Sequence, residues 1–200
     1  MQRVLAGALL ACLINNAPAL AKDKTLSDIP LKWTPTATFA EMGPVRVGGP
    51  LMNVKIHLEA FTDVRENQPF VAENREKAGK FRQVTTSDNV AAFVTEHYKD
   101  VLSKAGFTLA DDSADVIVTG EIQRFFVTET NTYQGEIAIA FHLKNPKGQE
   151  LWRGTIGGVA DHFGRSYRAD NYYETFSDSI LRAVYNLVAD TGFQEAVLKH

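Results

Sequence analysis

Val54, Ile56 and Leu58 alternate with Lys55, His57 and Glu59, and a period of two marks a half-buried strand. The polar stretch from Asp63 to Thr86 that follows is long for a structureless loop. Phe70-Val71 and Phe81 to Thr85 are the arms of a candidate hairpin within it. The period then changes. Val90, Phe93, Val94, His97, Val101, Leu102 and Ala105 recur at spacings of three and four, which predicts a helix. Ser87 or Asp88 is its expected cap, Lys104 lies in its last turn, and Gly106 stops it. Three alternating runs come next, Val116 to Gln123, Glu136 to Leu143 and Trp152 to Gly157. Asn145-Pro146-Lys147-Gly148 is a tight hairpin turn between the last two, with Pro setting φ and Gly supplying a positive φ at the end. Tyr173, Phe176, Ile180, Ala183, Val184, Leu187 and Val188 then form the stripe of a long helix from about Asp170 to Asp190. Gly192 is its expected stop, and Phe193 to Leu198 add a further helical turn.

The order β-α-β-β-β-α predicts an α+β fold of two layers, a mainly antiparallel sheet with two amphipathic helices on one face. The opposite face would carry Thr119, Glu121, Gln123, Ala138, Ala140, His142, Arg153 and Thr155, polar or small residues that suit water or a partner docking flat. Residues 53–200 make one α+β domain. Residues 22–52 hold Pro30, Pro35, Pro44, Pro50 and Gly48-Gly49, and read as an extended lead-in that Trp33 docks to the body.

Residues 1–21 have a different pattern. Arg3 precedes an uninterrupted apolar run from Val4 to Ile14, and the segment closes in Ala19-Leu20-Ala21. A basic tip, a short apolar run and a small-x-small end make a signal peptide, and the run is too short to span a bilayer. Two processing readings compete. Cleavage after Ala21 gives a soluble periplasmic protein, and it is preferred because Leu10 fits poorly in a lipobox. Leu9-Leu10-Ala11-Cys12 otherwise resembles the lipobox of bacterial lipoproteins, in which Cys12 would be acylated and the chain attached to the outer membrane. Cys12 is the only cysteine, so cleavage after Ala21 would exclude disulfides, thiol catalysis and cysteine metal sites from the mature chain.

The 200 residues are 44% hydrophobic and 22% charged, within the range of an ordinary globular domain. The formal net charge is −3, and Arg3 is the only charged residue before Lys22. A mildly acidic protein has no general attraction for phosphate backbones, so a nucleic-acid partner is not expected.

Several runs carry a family resemblance: the strand ending in Asp63-Val64-Arg65, the Thr-rich Val84-Thr85-Thr86-Ser87, and the stop Lys104-Ala105-Gly106-Phe107. Ala114-Asp115-Val116-Ile117-Val118-Thr119-Gly120-Glu121, Gly148-Gln149-Glu150-Leu151-Trp152 and the final helix add to them. From Val54 onward the chain resembles the YajG-like family of envelope lipoproteins. More distantly it is similar to auxiliary lipoprotein components of ABC-type lipid transporters. The resemblance implies a fold and an envelope location, and it supplies no catalytic residue.

Chemistry is sparse in the sequence. The histidines at 57, 97, 142, 162 and 200 have no HExxH or His-Cys spacing. His57 and His142 read as solvated on the outward face, and His97 as a half-buried member of its helix stripe. Asp111, Asp112 and Asp115 lack calcium-loop spacing, and Asp63 with Arg65 reads as a local ion pair. No glycine pattern of a phosphate loop precedes a helix, and no serine sits in GxSxG. Catalytic residues, metal ligands and cofactors are therefore not expected, although Glu121 and Glu136 could meet on the open face as a hydrolase pair. The most unusual composition is His162 to Tyr173, with four aromatics and two arginines. Phe163, Arg165, Tyr167, Arg168 and Tyr172 are the candidate partner-binding residues, since aromatic rings beside guanidinium groups suit a protein or sugar surface. The sequence thus predicts a non-enzymatic envelope binding or assembly module whose partner is an envelope protein or component. The alternative is a lipid-anchored auxiliary subunit of an ABC-type lipid transport system.

Overall fold

In a computed structural model, which describes residues 26–45, 47–75, 81–164 and 166–200, the strands are β1 (Lys55–Leu58), β2 (Thr62–Asp63), β3 (Phe70–Asn74), β4 (Arg82–Thr85), β5 (Thr108–Leu109), β6 (Val116–Glu129), β7 (Thr132–Lys144) and β8 (Glu150–Phe163). The helices are α1 (Val90–Ala105), α2 (Ala169–Ala189) and α3 (Thr191–Leu198). The signal segment, Cys12 and the rest of residues 1–25 lie outside the described residues.

β6 organises the sheet. One side pairs antiparallel with β7 along almost its whole length, and β8 continues the meander. The other side receives β1, β2 and β3 one after another, all parallel, with Ile56 opposite Val116, Thr62 opposite Glu121 and Ala72 opposite Val127. β4 closes a hairpin on β3, and β5 adds to β1. The result is an α+β fold with a mostly antiparallel open sheet and its helices on one face. The two arms predicted around Phe70 and Phe81 are β3 and β4, so the long polar stretch is partly paired.

The alternation that defines β6 slips once. Ile122 and Phe125 both face the core, and the register shifts between Ile122 and Arg124. The bulge puts Gln123 and Arg124 outside together and lets the strand run on to Glu129. Phe125 stacks on Phe176 at 4.6 Å inside, while Phe126 meets Phe70 edge-on outside.

Two local expectations are corrected. The α1 cap is Asn89, whose Oδ1 accepts the Ala92 N–H at 2.9 Å, and neither Ser87 nor Asp88 fills that position. Gly192 does not stop α2. Asp190 ends α2 and caps α3 by accepting the Phe193 N–H at 2.7 Å, so the apolar tail is a third helix with Gly192 in its first turn. Gly106 does end α1 in the left-handed region, at φ 109°.

α2 crosses β7 and β8 where the strands carry glycine. A Cβ on Gly158 would lie 2.1 Å from the Ser179 carbonyl oxygen, and one on Gly135 would lie 2.6 Å from Thr175 Cγ2. Side chains cannot fit between these backbones, so the helix axis sits close to the sheet and Ile137, Ile139, Phe141, Ile180, Val184 and Leu187 are buried between them.

The segment before β1 starts beside β4, where Leu26 bridges Val84, and then passes over the helices as a strap. Thr34 N–H donates to Ser177 Oγ at 2.9 Å and Thr36 N–H to Asp178 Oδ1 at 2.8 Å; His162 Nε2 lies 2.8 Å from the other Asp178 oxygen. Leu26, Ile29 and Leu51 join the core. Trp33 stacks on His97 at 4.2 Å with 10° between planes, and Phe93 meets the same imidazole edge-on. Burial holds that imidazole below its ordinary value of 6.5, with Lys104 acting in the same direction and Glu96 and Asp100 opposing. The unfolded chain takes up a proton that the stack refuses. Stability is therefore complete above about pH 6.5 and declines as the pH falls through the lowered native value. His97→Phe is expected to flatten this acid-side slope in melting curves between about pH 8 and pH 5. An unchanged slope would show that the stack is not the sensor.

Candidate partner-binding surface

The face of the sheet away from the helices is set by the same alternation that builds the core. Odd-numbered residues of β8, even-numbered residues of β7 and the intervening residues of β6 point outward. Thr119, Glu121, Ala138, Ala140, His142, Arg153 and Thr155 are all on this face, as the sequence predicts, and none is buried. Arg124 pairs with Glu136 across β6 and β7. His142 Nδ1 lies 2.7 Å from Glu150 Oε2, and this hydrogen bond holds the Glu150 carboxyl below its ordinary range. The face is a mixed-charge plain with small side chains at its centre.

At the β3 side it deepens into a groove of about 570 Å³, lined by Arg65, Phe70, Glu73, Arg75, Arg124 and Phe126, among others. Arg65 is its fixed wall. Its guanidinium bonds Asp63 Oδ1 at 2.9 Å and Oδ2 at 2.7 Å, and also the carbonyls of Gln68, Phe70 and Phe125 at 2.8, 3.3 and 3.2 Å. All its donors are committed to Asp63 and to carbonyls of nearby backbone, so this side chain pins the loop after β2 to β6. Arg124 and Arg75 are the exposed cations of the groove; Arg124 lies over Phe126 at 5.5 Å and Arg75 pairs with Glu73 at 2.5 Å.

The segment between β8 and α2 divides into two sets. Phe163 is 95% exposed, and Arg168 is exposed beside Asp170 at 3.3 Å. Tyr167 and Tyr172 point inward instead, so a partner does not reach their rings. Both serve Glu129: the Tyr167 N–H donates to Oε1 at 2.9 Å and the Tyr172 hydroxyl to Oε2 at 2.6 Å. Burial first, and then the bond to Glu129, pushes the Tyr172 phenol far above its ordinary value. Arg165 lies outside the described residues.

Glu121 and Glu136 do not meet. Glu121 is opposite Ala140, four residues along β7 from Glu136, which is itself opposite Phe126 and paired with Arg124. His57 and His142 are half-buried; His57 Nδ1 lies 3.2 Å from the Ala110 carbonyl. Asp115 accepts the Lys55 N–H at 2.8 Å and so ties the loop before β6 to the start of β1. Among the described residues, no cluster of His, Cys, Asp and Glu could hold a metal ion, and no helix is long and apolar enough to cross a membrane.

The groove residues Arg124 and Phe126 escape a strict period-two reading of β6. The signal was there: Ile122 and Phe125 are three apart, a phase break that two consecutive polar residues fill.

A family model described as an uncharacterised lipoprotein matches residues 51–172. No curated protein matches the chain. A Xanthomonas campestris protein of the DUF330 family has the same fold, with a TM-score of 0.54 and 11% identity over 76% of this chain and 92% of that one. PelC from Paraburkholderia phytofirmans, a dodecamer, aligns at a TM-score of 0.39 with 14% identity over 70% and 92%. A minor lipoprotein from Acinetobacter baumannii aligns at 0.36 with 11% identity over 71% and 91%.

Proposed function

Because the chain belongs to this family of uncharacterised lipoproteins, we propose that it is a non-enzymatic envelope module, lipid-anchored at Cys12, that binds an envelope protein through the helix-free face of its sheet. The observation that carries the reading is the one-sided packing of the three helices, which leaves the other face and its basic-aromatic groove open to solvent. An exposed face with mixed charge, small central residues and aromatic anchors at its margin suits a protein partner better than a small substrate. Family membership shifts the balance between the two N-terminal readings toward acylation. The YajG-like resemblance around Asp63-Val64-Arg65 and Ala114 to Glu121 fits the same role.

A photo-crosslinking amino acid placed at Glu121 or Ala140, which face each other on the open side, is expected to capture a discrete envelope protein in cells. The same probe at Glu96, exposed on α1, is expected to capture none. Equal adducts at Glu96, or none at either outward position, would remove the open face as the binding site. Mass spectrometry of the mature N-terminus decides the anchor: a chain beginning at Lys22 would end that part of the reading.

A further inference from the structure

β8 is the outermost strand on its side of the sheet, 14 residues long and free of proline. Edges of this length are normally shortened, bulged or covered, because their unpaired backbone groups invite another strand. Here, among the described residues, the only side chain bonded to the edge backbone is Asn186, whose Nδ2 donates to the Gly157 carbonyl at 2.7 Å. That bond shows which groups face outward. Gly157 turns its polar backbone away from β7, and by the alternation of an antiparallel ladder so do Arg153, Thr155, Val159 and Asp161. Their side chains all lie on the helix-free face.

The charges on this edge are self-complementary. Arg153 and Asp161 stand four residues either side of Gly157, both exposed. Among the described residues, Arg153 reaches only Glu150, at 3.3 Å, and Asp161 has no ion pair or hydrogen bond. A second copy laid antiparallel with its Gly157 against this Gly157 would put Arg153 opposite Asp161 twice and Thr155 opposite Val159 twice. Each facing pair would be of the hydrogen-bonded kind, giving roughly ten backbone bonds, of which the two at Gly157 would replace the Asn186 contact in each copy. The Asn186 amide fills the place of the partner N–H at the centre of this register.

We infer that β8 is a homodimer edge, at which a second copy of this chain pairs antiparallel about Gly157 and joins two sheets into one. The dimer would double the helix-free face, and it does not depend on what that face binds.

The test uses the exported full-length protein with Thr155→Cys and Val159→Cys together. In the proposed register these positions face each other across the two chains at a Cα separation of about 5.5 Å, within disulfide range. Cys12 offers no competing thiol whether it is acylated or cleaved away. The double variant is expected to form a disulfide-linked dimer in the oxidising envelope, and each single variant is expected to form no such covalent link. In solution, Arg153→Glu should weaken self-association at least about tenfold, and Arg153→Asp with Asp161→Arg should restore it to within about threefold. Both positions are exposed, and circular dichroism of the variants confirms that they fold. A double variant that stays monomeric, single variants that cross-link as readily, or a charge reversal without effect would each overturn the proposal.

Discussion

Gly158→Val is expected to lower stability by about 3 kcal/mol or more, a large part of the 5–15 kcal/mol typical of a domain. A Cβ at this position would lie 2.1 Å from the Ser179 carbonyl oxygen, 2.5 Å from the Ala183 nitrogen and 3.0 Å from the Ala183 Cα. These are backbone atoms in the middle of α2, so they cannot rotate aside as a side chain can. Relief requires the helix to lift off β8. Ile180, Ala183, Val184 and Leu187, all buried against the sheet, would lift with it. The cost is one of space, since Gly158 is not in the left-handed region. Gly48→Val is the matching control: its Cβ meets nothing within 4 Å, and its φ of −158° is extended backbone that valine adopts readily. Urea unfolding of the full chain should separate the two by at least 2 kcal/mol, on the order of a core overpacking penalty. A Gly158→Val protein as stable as wild type would mean that α2 does not cross the sheet at this point.

The same contact shows how far the sequence could be read. The stripe from Tyr173 to Val188 declares α2, and the alternation in β6, β7 and β8 declares the meander, because each records many residues choosing between core and water. That α2 must approach closely at Gly135 and Gly158 is not in either period. An isolated glycine in a strand announces only that something comes near. β2 and β5 are two residues each, too short for any period, and are held in place by parallel pairing with β6 and β1. The helix-free face was legible because alternation fixes both faces at once. The groove in it was not, since it needs the bulge at Gln123 and the staple made by Arg65, whose role as a local ion pair with Asp63 was legible while its reach to Phe125 was not. The aromatic-basic run at 162–173 misled for a related reason. Composition marks a segment as unusual, but the inward direction of Tyr167 and Tyr172 depends on Glu129, more than thirty residues away in sequence.

Glu129→Gln is the second large effect, expected at about 2–3 kcal/mol although it changes neither size nor shape. Glu129 is fully buried because the alternation of β6 carries it to the core face beside α2. It is tolerated there as an acceptor for two donors, the Tyr172 hydroxyl and the Tyr167 N–H. A glutamine keeps one oxygen and turns an NH₂ toward the other donor, leaving a buried N–H facing a donor. Tyr167 amplifies the loss. It holds φ at 46°, a region that costs a non-glycine residue about 1 kcal/mol, and its partners must sustain that. Those partners include the Leu26 N–H on its hydroxyl at 3.1 Å and the Arg82 guanidinium over its ring at 5.1 Å. Freeing the Tyr167 backbone should therefore loosen the strap where it begins at Leu26, and proteolysis at the exposed Arg168 should accelerate. Tyr172→Phe removes only one donor, so it should cost about 1 kcal/mol and couple to Glu129→Gln by about 1 kcal/mol in a double-mutant cycle. If Glu129→Gln unfolds within about 0.5 kcal/mol of wild type, below the range of a lost buried hydrogen bond, the carboxylate is not what holds Tyr167 inward. Those rings would then be free to turn outward with Phe163 and Arg168 as one surface.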